Sequence, residues 1–229
     1  MYDPVVEFPE LFPEQKPTEL PPLRKPPDVI PHGIDGMPNS GWTHRFPSTY
    51  TQFKHQISKK IIIELGTGRI VPAKSSNSID MFTQPKSDKP PEARFLLNCI
   101  HRNLVTHEDK THMSGMEHIT NFIESRPFRS KLDLTDGYHN ISIHLDSVSH
   151  SIFTCYMGKF NSLVIQQGDC NAPATMMRAM NYPFREVKDQ MIYLDDILIA
   201  NHTYKEHINT IKQVSQIAKG NKLWFDRHK

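Results

Sequence analysis

Residues 191–200 read Met-Ile-Tyr-Leu-Asp-Asp-Ile-Leu-Ile-Ala, so two adjacent carboxylates, Asp195 and Asp196, lie between two apolar runs. Apolar runs that are rich in β-branched residues and bounded by polar ones are typical of strands. Neighbouring side chains on a straight strand point to opposite faces, whereas the bend between two strands can bring two acids to one place. We therefore predict a tight hairpin with the two aspartates at its tip.

This pair of like charges needs either solvent or a cation, because burying a carboxylate costs free energy unless something pairs with it. A divalent cation, which takes oxygen ligands, is the simplest partner for a buried pair. An exposed acidic turn is the alternative, and it is the commoner interpretation of an isolated Asp-Asp sequence. The apolar residues on both sides of the pair favour the cation site.

The composition describes a chain that can bury a substantial core and that carries little net charge. The 229 residues include 27 Lys and Arg against 25 Asp and Glu, a net charge of +2. Such a weakly basic chain is compatible with a nucleic-acid partner but does not indicate one. The three cysteines show no Cys-x-x-Cys spacing and so do not indicate a disulfide framework. No signal core and no membrane-spanning run is visible, so we expect an intracellular protein without a membrane partner.

Proline divides the chain into two parts. Residues 1–47 hold 11 of the 18 prolines, and this density prevents regular helix or central strand. We predict a Pro-rich linker or arm over 1–47 and a folded domain over 48–229. Apolar residues at every fourth position predict an amphipathic helix at the start of that domain. These residues are Phe53, Ile57, Ile61 and Leu65.

Residues 80–100 predict a β-hairpin with a basic turn. The turn carries Lys86, and Arg94 begins the return strand. Arg offers a fork of hydrogen-bond donors and Lys a point charge, so such a hairpin can bind phosphate. An ordinary charged turn is the alternative interpretation of this stretch.

A third acid, Asp133, ends a short predicted strand over 129–134. If this strand neighbours the Asp-Asp hairpin, three carboxylates converge at one sheet edge. Two divalent ions held about 3.5–4 Å apart can activate an attacking hydroxyl and stabilise a leaving phosphate. Mg²⁺ usually binds one or two carboxylates plus substrate phosphates. Spacing alone permits such a site without requiring it.

Three segments of the chain, in this order, resemble motifs of a reverse transcriptase. They are residues 132–139 (Leu-Asp-Leu-Thr-Asp-Gly-Tyr-His), 167–175 (Gln-Gly-Asp-Cys-Asn-Ala-Pro-Ala-Thr) and 193–198 (Tyr-Leu-Asp-Asp-Ile-Leu). The resemblance is to gypsy-type long-terminal-repeat retrotransposons, specifically the branch common in fungal genomes, and it covers roughly residues 64–229. Three motifs in this order and spacing are highly specific.

The resemblance implies an α+β fold of the right-hand polymerase type, with fingers and a palm whose small antiparallel sheet packs on helices. The implied fingers comprise about 48–128 and 150–168, and the implied palm about 129–149 and 169–229. A thumb, a ribonuclease H and an integrase are expected to be absent from the chain.

The resemblance also implies an RNA-directed DNA polymerase that takes an RNA or DNA template with a primer, and deoxynucleoside triphosphates. Asp133, Asp195 and Asp196 match the catalytic, metal-binding carboxylates for two Mg²⁺ ions, with Mn²⁺ as the alternative ion. The backbone carbonyl of Leu134 matches a further metal contact. No pattern in the sequence indicates an oligomeric state.

The implied nucleotide contacts come from both fingers and palm. Tyr138 matches the aromatic gate that crowds the sugar 2′ position, and Gln167 matches a residue that touches the incoming nucleotide. Arg94, and less closely Lys86, match finger residues that grip the triphosphate. The backbone amides that match those facing the phosphates belong to Asp136 and Gly137.

The chain also departs from the family pattern. Asn98 stands where the family usually has Asp, and Ile100 where it usually has Arg. On one strand these two residues would share a face, so a paired acid and base would be lost together. Pro183 lies where the helix after the Gln-Gly loop is expected to continue, and we expect it to end that helix early.

Two alternatives to an active polymerase therefore stay open. The first is a catalytically inactive transposon relic that at most binds nucleic acid. The second is a metal-dependent hydrolase that uses the same acids. The hydrolase is disfavoured because a nuclease needs neither the Tyr138 gate nor the Gln167 contact.

Overall fold

Strands and helices are interspersed along the chain. The structure, a computed structural model, describes residues 2–14, 19–22, 51–75, 77–86, 92–109 and 115–227. The strands in these ranges are β1 (Ile70–Pro72), β2 (Ile79–Pro85), β3 (Ala93–Leu97), β4 (Phe128–Asp133), β5 (Ile152–Cys155), β6 (Gly158–Ser162), β7 (Gln190–Tyr193) and β8 (Asp196–Asn201). The α-helices are α1 (Pro4–Glu7), α2 (Lys54–Gly66), α3 (Ile100–Leu104), α4 (Met116–Glu124), α5 (Ala172–Phe184) and α6 (Tyr204–Gly220). No helix in the described ranges has the length and apolar character to cross a bilayer.

A small antiparallel sheet of order β4-β8-β7 carries the Asp-Asp sequence. Tyr193 pairs with Asp196, so Leu194 and Asp195 form a two-residue turn between β7 and β8. Leu194 has a φ of 55°, a left-handed conformation that branched side chains rarely adopt outside tight turns. The predicted hairpin is confirmed.

One face of this sheet packs on helices α5 and α6. Ile197 and Ile199 alternate along β8 and are 0% and 1% exposed, as expected for the buried face of a strand. They belong to one hydrophobic cluster with Met176 of α5 and Val214 of α6. Thr203 and Glu206 form a capping box at the start of α6, which satisfies otherwise unpaired backbone donors. The predicted palm-like arrangement, a small antiparallel sheet on helices, is confirmed.

A second sheet contains the other five described strands, in the order β1-β6-β5-β2-β3. Helix α2 packs against it through Ile57 and Ile61, which share a separate hydrophobic cluster with Phe153 and Phe160. The predicted period-four face of α2 is confirmed, since Ile57 and Ile61 are buried, Phe53 is buried directly before the helix and Leu65 is partly buried. The first residues of the predicted domain, 48–50, lie outside the described residues.

The predicted hairpin over 80–100 is confirmed by the antiparallel pairing of β2 with β3. The expectation that Asn98 and Ile100 share a strand face is wrong, because β3 ends at Leu97 and α3 begins at Ile100. The Oδ1 of Asn98 accepts the Ile100 N–H at 3.4 Å. This local bond, typical of an Asx turn, accompanies the bend that ends the strand.

Helix α5 tolerates its internal proline. It runs through Pro183 and ends at Phe184, so Pro183 occupies the last turn. The following residues turn towards β7, and Phe184 is completely buried. The helix therefore continues one residue past the proline and keeps the core position at its end.

Part of the predicted arm packs on the palm-like sheet and helices. Leu11 and Phe12 are 1% and 6% exposed. The Leu11 carbonyl accepts the Phe225 N–H at 2.7 Å, and the rings of Phe12 and Phe225 lie 5.7 Å apart. Four ion pairs accompany these contacts, namely Lys212–Glu7, Lys219–Glu10, Arg227–Glu14 and Lys222–Glu19. Residues 2–14 thus belong to the folded body, whereas 15–18 and 23–47 lie outside the described residues.

Phe12→Ala should lower the free energy of unfolding by about 3 kcal/mol, because it removes a buried ring and leaves a cavity beside Phe225. Val6→Ala is the matched control, since Val6 is 77% exposed and should change stability by less than about 0.5 kcal/mol. Urea unfolding followed by circular dichroism measures both. Equal effects at the two positions would contradict the packing of this segment.

Candidate active site

Asp133 and Asp196 meet at one edge of the three-stranded sheet. Asp133 ends β4 and is the direct cross-strand partner of Asp196, which begins β8. The Nζ of Lys131 lies 2.8 Å from Asp196 Oδ2 and 4.0 Å from Asp133 Oδ2. The hydrogen bond to Asp196, together with the charges of Asp133 and Asp195, raises the pKa of Lys131. The edge therefore already binds one positive charge.

Asp195 links this edge to the segment that follows β4. Its carbonyl accepts the Leu134 N–H at 2.9 Å. Its side chain lies against Gly137, where an added Cβ would be 2.7 Å from Asp195 Cβ and 3.1 Å from Met176 Cε. Burial, and then the charge of Asp195, raises the pKa of Tyr138. The two motifs that carry the acids are thus in direct contact.

The donor set fits a hard divalent cation in part. Asp196 Oδ1 is buried and has no hydrogen-bond partner in the part of the chain that the structure describes. Within those same residues, no three His, Cys, Asp or Glu side chains lie close enough together to hold a metal ion as they stand. Mg²⁺ is often held by only one or two carboxylates, with substrate phosphates and water completing its ligands. The site therefore provides an anchor for a cation rather than a complete cage.

The turn after Leu134 contains the other palm residues that were singled out from the sequence. Tyr138 is half-buried in a 3₁₀ turn, Gly137–Asn140. Asp136 precedes that turn with a φ of 51°, and its Oδ2 lies 3.6 Å from Nη1 of the buried Arg69. A non-glycine residue in this conformation is uncommon. The ion pair with Arg69 helps to hold it there.

A buried polar cluster supports this turn from the side of α2. Glu64, 6% exposed, lies 3.7 Å from His139 Nδ1 and 3.1 Å from Lys60 Nζ. Burial lowers the pKa of His139 to about 4, and the charges of Lys60 and Arg69 act in the same direction. Burial acts to raise the pKa of Glu64, but the neighbouring cations lower it overall. His139 is therefore neutral at pH 7, beside a charged carboxylate.

Sequence reasoning missed this cluster, although one signal was available. Glu64 follows Ile57 and Ile61 at helical spacing, so it lies in phase with the buried face of α2. A charged residue at such a position is rarely buried without a partner. No local pattern indicated that the partners would be Arg69 and His139, because His139 lies 75 positions further along the chain.

The predicted triphosphate and nucleotide contacts from the fingers belong to the β2–β3 hairpin and to a turn beside the end of β3. Arg94 is exposed on β3, opposite Gln84. Lys86 Nζ lies 2.7 Å from Glu92 Oε2 across the base of the hairpin, whose turn over 87–91 is outside the described residues. Gln167 is exposed in the turn that leads to Gly168. The structure thus divides the predicted site residues between the two sheets.

Comparison with known proteins identifies a family and relatives that match most of the chain. A family model described as reverse transcriptase (RNA-dependent DNA polymerase) matches residues 84–229. The retrovirus-related Pol polyprotein from transposon 297 of Drosophila melanogaster is 27% identical over 208 residues, which are 87% of this chain and 20% of that protein. The transposon Tf2-3 polyprotein of Schizosaccharomyces pombe is 28% identical over 167 residues, 72% of this chain and 12% of that protein. The chain thus spans a fifth or less of these two relatives.

The fold is also that of a solved polymerase. The foamy viral protease-reverse transcriptase, solved in complex with an RNA/DNA hybrid, has a TM-score of 0.82 and 20% sequence identity. The match covers 98% of this chain and 30% of that chain. The predicted α+β fold of fingers and palm is confirmed.

Gly137→Ala should lower the free energy of unfolding by about 1–3 kcal/mol, because the new methyl group would collide with Asp195 Cβ. Gly66→Ala is the matched control, since nothing lies within 4 Å of its added Cβ, and alanine is the better helix former by about 1 kcal/mol. Urea unfolding of both variants measures the difference. A loss no larger at 137 than at 66 would contradict the close packing of the two motifs.

The unfolding free energy should fall as the pH is lowered from about 6.5 to about 4, in part because of His139. Its pKa in the folded state is about 4 against 6.5 as the ordinary value, so the unfolded chain takes up the proton first and gains stability from it. His139→Gln should remove up to about 3 kcal/mol of this pH dependence. The exposed His202→Gln controls for the general effect of losing a histidine. If the unfolding free energies of wild type and His139→Gln, plotted against pH, stay parallel across this range, the lowered pKa of His139 is refuted.

Proposed function

This chain belongs to the reverse transcriptase (RNA-dependent DNA polymerase) family, and on that premise we propose that it adds deoxynucleotides to a primer 3′ hydroxyl under the direction of an RNA template. The observation that carries the proposal is that Asp133 and Asp196 are direct cross-strand partners at one end of the three-stranded sheet, with Asp195 in the adjoining turn, where its charge acts on Tyr138. A carboxylate cluster at the end of a strand pair is the arrangement that metal-assisted phosphoryl transfer needs.

Reverse transcriptases generally use divalent metal ions. In this chain Asp133, Asp195 and Asp196 would hold them, with the Leu134 carbonyl as a further ligand and Mg²⁺, or else Mn²⁺, as the ion. Two bound ions supply activation of the attacking hydroxyl and stabilisation of the leaving phosphate. The contact of Lys131 with two of these carboxylates supports the assignment, because it demonstrates their attraction for a cation.

The incoming nucleotide would be held from both sheets. We assign Arg94 and Lys86 to the triphosphate, since both side chains can donate to phosphate oxygens. Lys86 is paired with Glu92 in a partly exposed ion pair, and such pairs stabilise by only about 0–1 kcal/mol. Replacing Glu92 by a phosphate as the partner of Lys86 therefore costs little free energy. Gln167 would touch the nucleotide from the exposed turn before Gly168.

Selection of deoxynucleotides is assigned to Tyr138, whose ring would crowd a sugar 2′ hydroxyl. The contact of Asp195 with Gly137 supports this placement because it fixes the turn that carries the ring next to the acids. The backbone amides of Asp136 and Gly137 would face the phosphates. Glycine at 137 permits the close approach of Asp195, because an added Cβ would lie only 2.7 Å from Asp195 Cβ.

The proposed partner is an RNA or DNA template annealed to a primer. The foamy viral enzyme was solved with an RNA/DNA hybrid and with double-stranded DNA, and we infer the same class of ligand for this chain. We further assign the chain to a gypsy-type long-terminal-repeat retrotransposon of the fungal branch. Its fingers would comprise about 48–128 and 150–168, and its palm about 129–149 and 169–229.

Nucleic-acid binding without catalysis is the second candidate function. It is favoured by the observation that, in the described residues, no three acids are grouped closely enough to hold a metal ion as they stand. Binding of this kind depends on phosphate contacts and should weaken steeply as salt is raised. The two candidates differ in whether a primer is extended.

Extension of a DNA primer on an RNA template with Mg²⁺ should fall at least about a hundredfold in Asp195→Asn and in Asp196→Asn, because loss of metal-based charge stabilisation removes several kcal/mol. Asp146→Asn is the matched control, since that side chain is 90% exposed and outside the site. Gel-resolved primer extension measures all three. Undiminished extension by Asp195→Asn would exclude the assigned role, and template binding without any extension by the wild type would favour the second candidate.

A further inference from the structure

Arg102 and Asp169 form a buried ion pair outside the acidic site. The guanidinium of Arg102, 1% exposed, bonds to the carboxylate of Asp169, 6% exposed. The same guanidinium donates to Cys99 Sγ at 3.1 Å and to the His150 carbonyl at 3.4 Å. Such burial of two charges is rare unless they are paired. The pair links helix α3 to a segment that is 67 positions away along the chain.

Asn103 holds the same segment on both sides of Asp169. Its Nδ2 donates to the Gly168 carbonyl at 2.9 Å, and its Oδ1 accepts the Cys170 N–H at 3.1 Å. Three consecutive residues, 168 to 170, are therefore fixed by two consecutive residues of α3. We refer to Arg102, Asn103 and Asp169 as the loop clamp.

Gly168 brings the loop into contact with the end of β3. An added Cβ at this residue would lie 3.1 Å from the Leu97 carbonyl oxygen and 3.1 Å from Cys99 Sγ, and its φ is 112°. Only glycine adopts this conformation at so close an approach without strain. The neighbouring residue, Gln167, is exposed, and β3 also carries Arg94. The two predicted nucleotide contacts are thus joined through a few residues.

We propose that the loop clamp positions Gln167 relative to Arg94, so that the loop and the β2–β3 hairpin meet the nucleotide as one rigid unit. The loop clamp residues are positioning residues, because they act through Gln167 and do not reach the nucleotide themselves. The assignment of a nucleotide to Gln167 and Arg94 rests on the proposed function. Attachment of the loop to helix α3 can be measured even if the proposed function is wrong.

The effect of the Arg102–Asp169 pair on the position of the loop can be measured separately from its effect on folding, by a suitable choice of variants. Removing one partner leaves the other charge buried without a partner and strongly destabilises the fold. Replacing both partners by apolar residues of similar volume is often tolerated. The double variant Arg102→Leu/Asp169→Leu therefore removes the directional bond without leaving a buried charge. Asn103→Ala is the milder variant, since it removes two loop hydrogen bonds and leaves the contacts of Cys99 intact.

Cysteine alkylation reports loop opening independently of catalysis. Cys99 lies under Gly168, and burial raises the pKa of its thiol to about 12, so it reacts only when the loop opens. Cys155 is equally buried, on β5, and serves as an internal control for global unfolding. The Arg178–Asp109 ion pair provides the matched variant, Arg178→Leu/Asp109→Leu, because it is a second, partly buried Arg–Asp pair that links the chain after α3 to helix α5.

Peptide mapping after N-ethylmaleimide treatment of the full chain should give a Cys99 rate raised roughly five- to thirtyfold in Asn103→Ala and in Arg102→Leu/Asp169→Leu. The rate at Cys155, and both rates in the Arg178/Asp109 variant, should stay at wild-type values. A Cys99 rate that does not change in either loop clamp variant overturns the proposal. If Cys155 also reacts in the double variant, that variant has lost its fold and the result for Asn103→Ala decides.

Primer extension then tests the link to the nucleotide. The loop clamp variants should raise KM for the deoxynucleotide by a similar factor and leave template–primer affinity unchanged. In a Gln167→Ala background they should raise KM no further, because residues that act through one another are non-additive. Fully additive effects would overturn the positioning role. Failure of the wild type to extend a primer would count against the proposed function, while the alkylation result would still report the clamp.

Discussion

The register of three antiparallel strands is the constraint on which the rest of the structure depends. Ile197 and Ile199 are buried on the helix-facing side of β8, and a slip of one residue would turn both to the opposite face. The same register sets Asp196 opposite Asp133 and leaves Asp195 in the turn. Burial of apolar surface therefore holds like charges together against their repulsion. Lys131 offsets part of that repulsion, and a bound cation would offset it more fully.

Polar contacts connect the two sheets. They matter for the relative orientation of the sheets, because each sheet has a separate hydrophobic cluster. Apolar packing is non-directional, whereas hydrogen bonds require particular distances and angles. Buried polar networks can therefore specify one orientation where packing alone would allow several. The contacts in question are Arg69–Asp136, Glu64–His139 and Arg102–Asp169. They lie beside the segments that carry the predicted nucleotide contacts.

The features that the sequence predicted are those encoded by local periodicity. The apolar runs on both sides of Asp195 and Asp196 predicted the hairpin, and the spacing of Ile57 and Ile61 predicted the buried face of α2. The end of β3 was missed because the side chain of Asn98 bonds to the backbone two residues further on, which periodicity does not report. The Arg102–Asp169 pair was missed for a different reason. Its partners are distant along the chain, and neither residue type signals burial.

The packing of Leu11 and Phe12 against Phe225 means that the boundaries of the family match and those of the folded body do not coincide. A chain trimmed to residues 84–229 would lose these two side chains and all of α2. Two apolar faces, one on each sheet, would then be open to water, and exposed patches of this kind promote association between molecules. For recombinant work, residues 2–14 are therefore better retained with the folded body than removed.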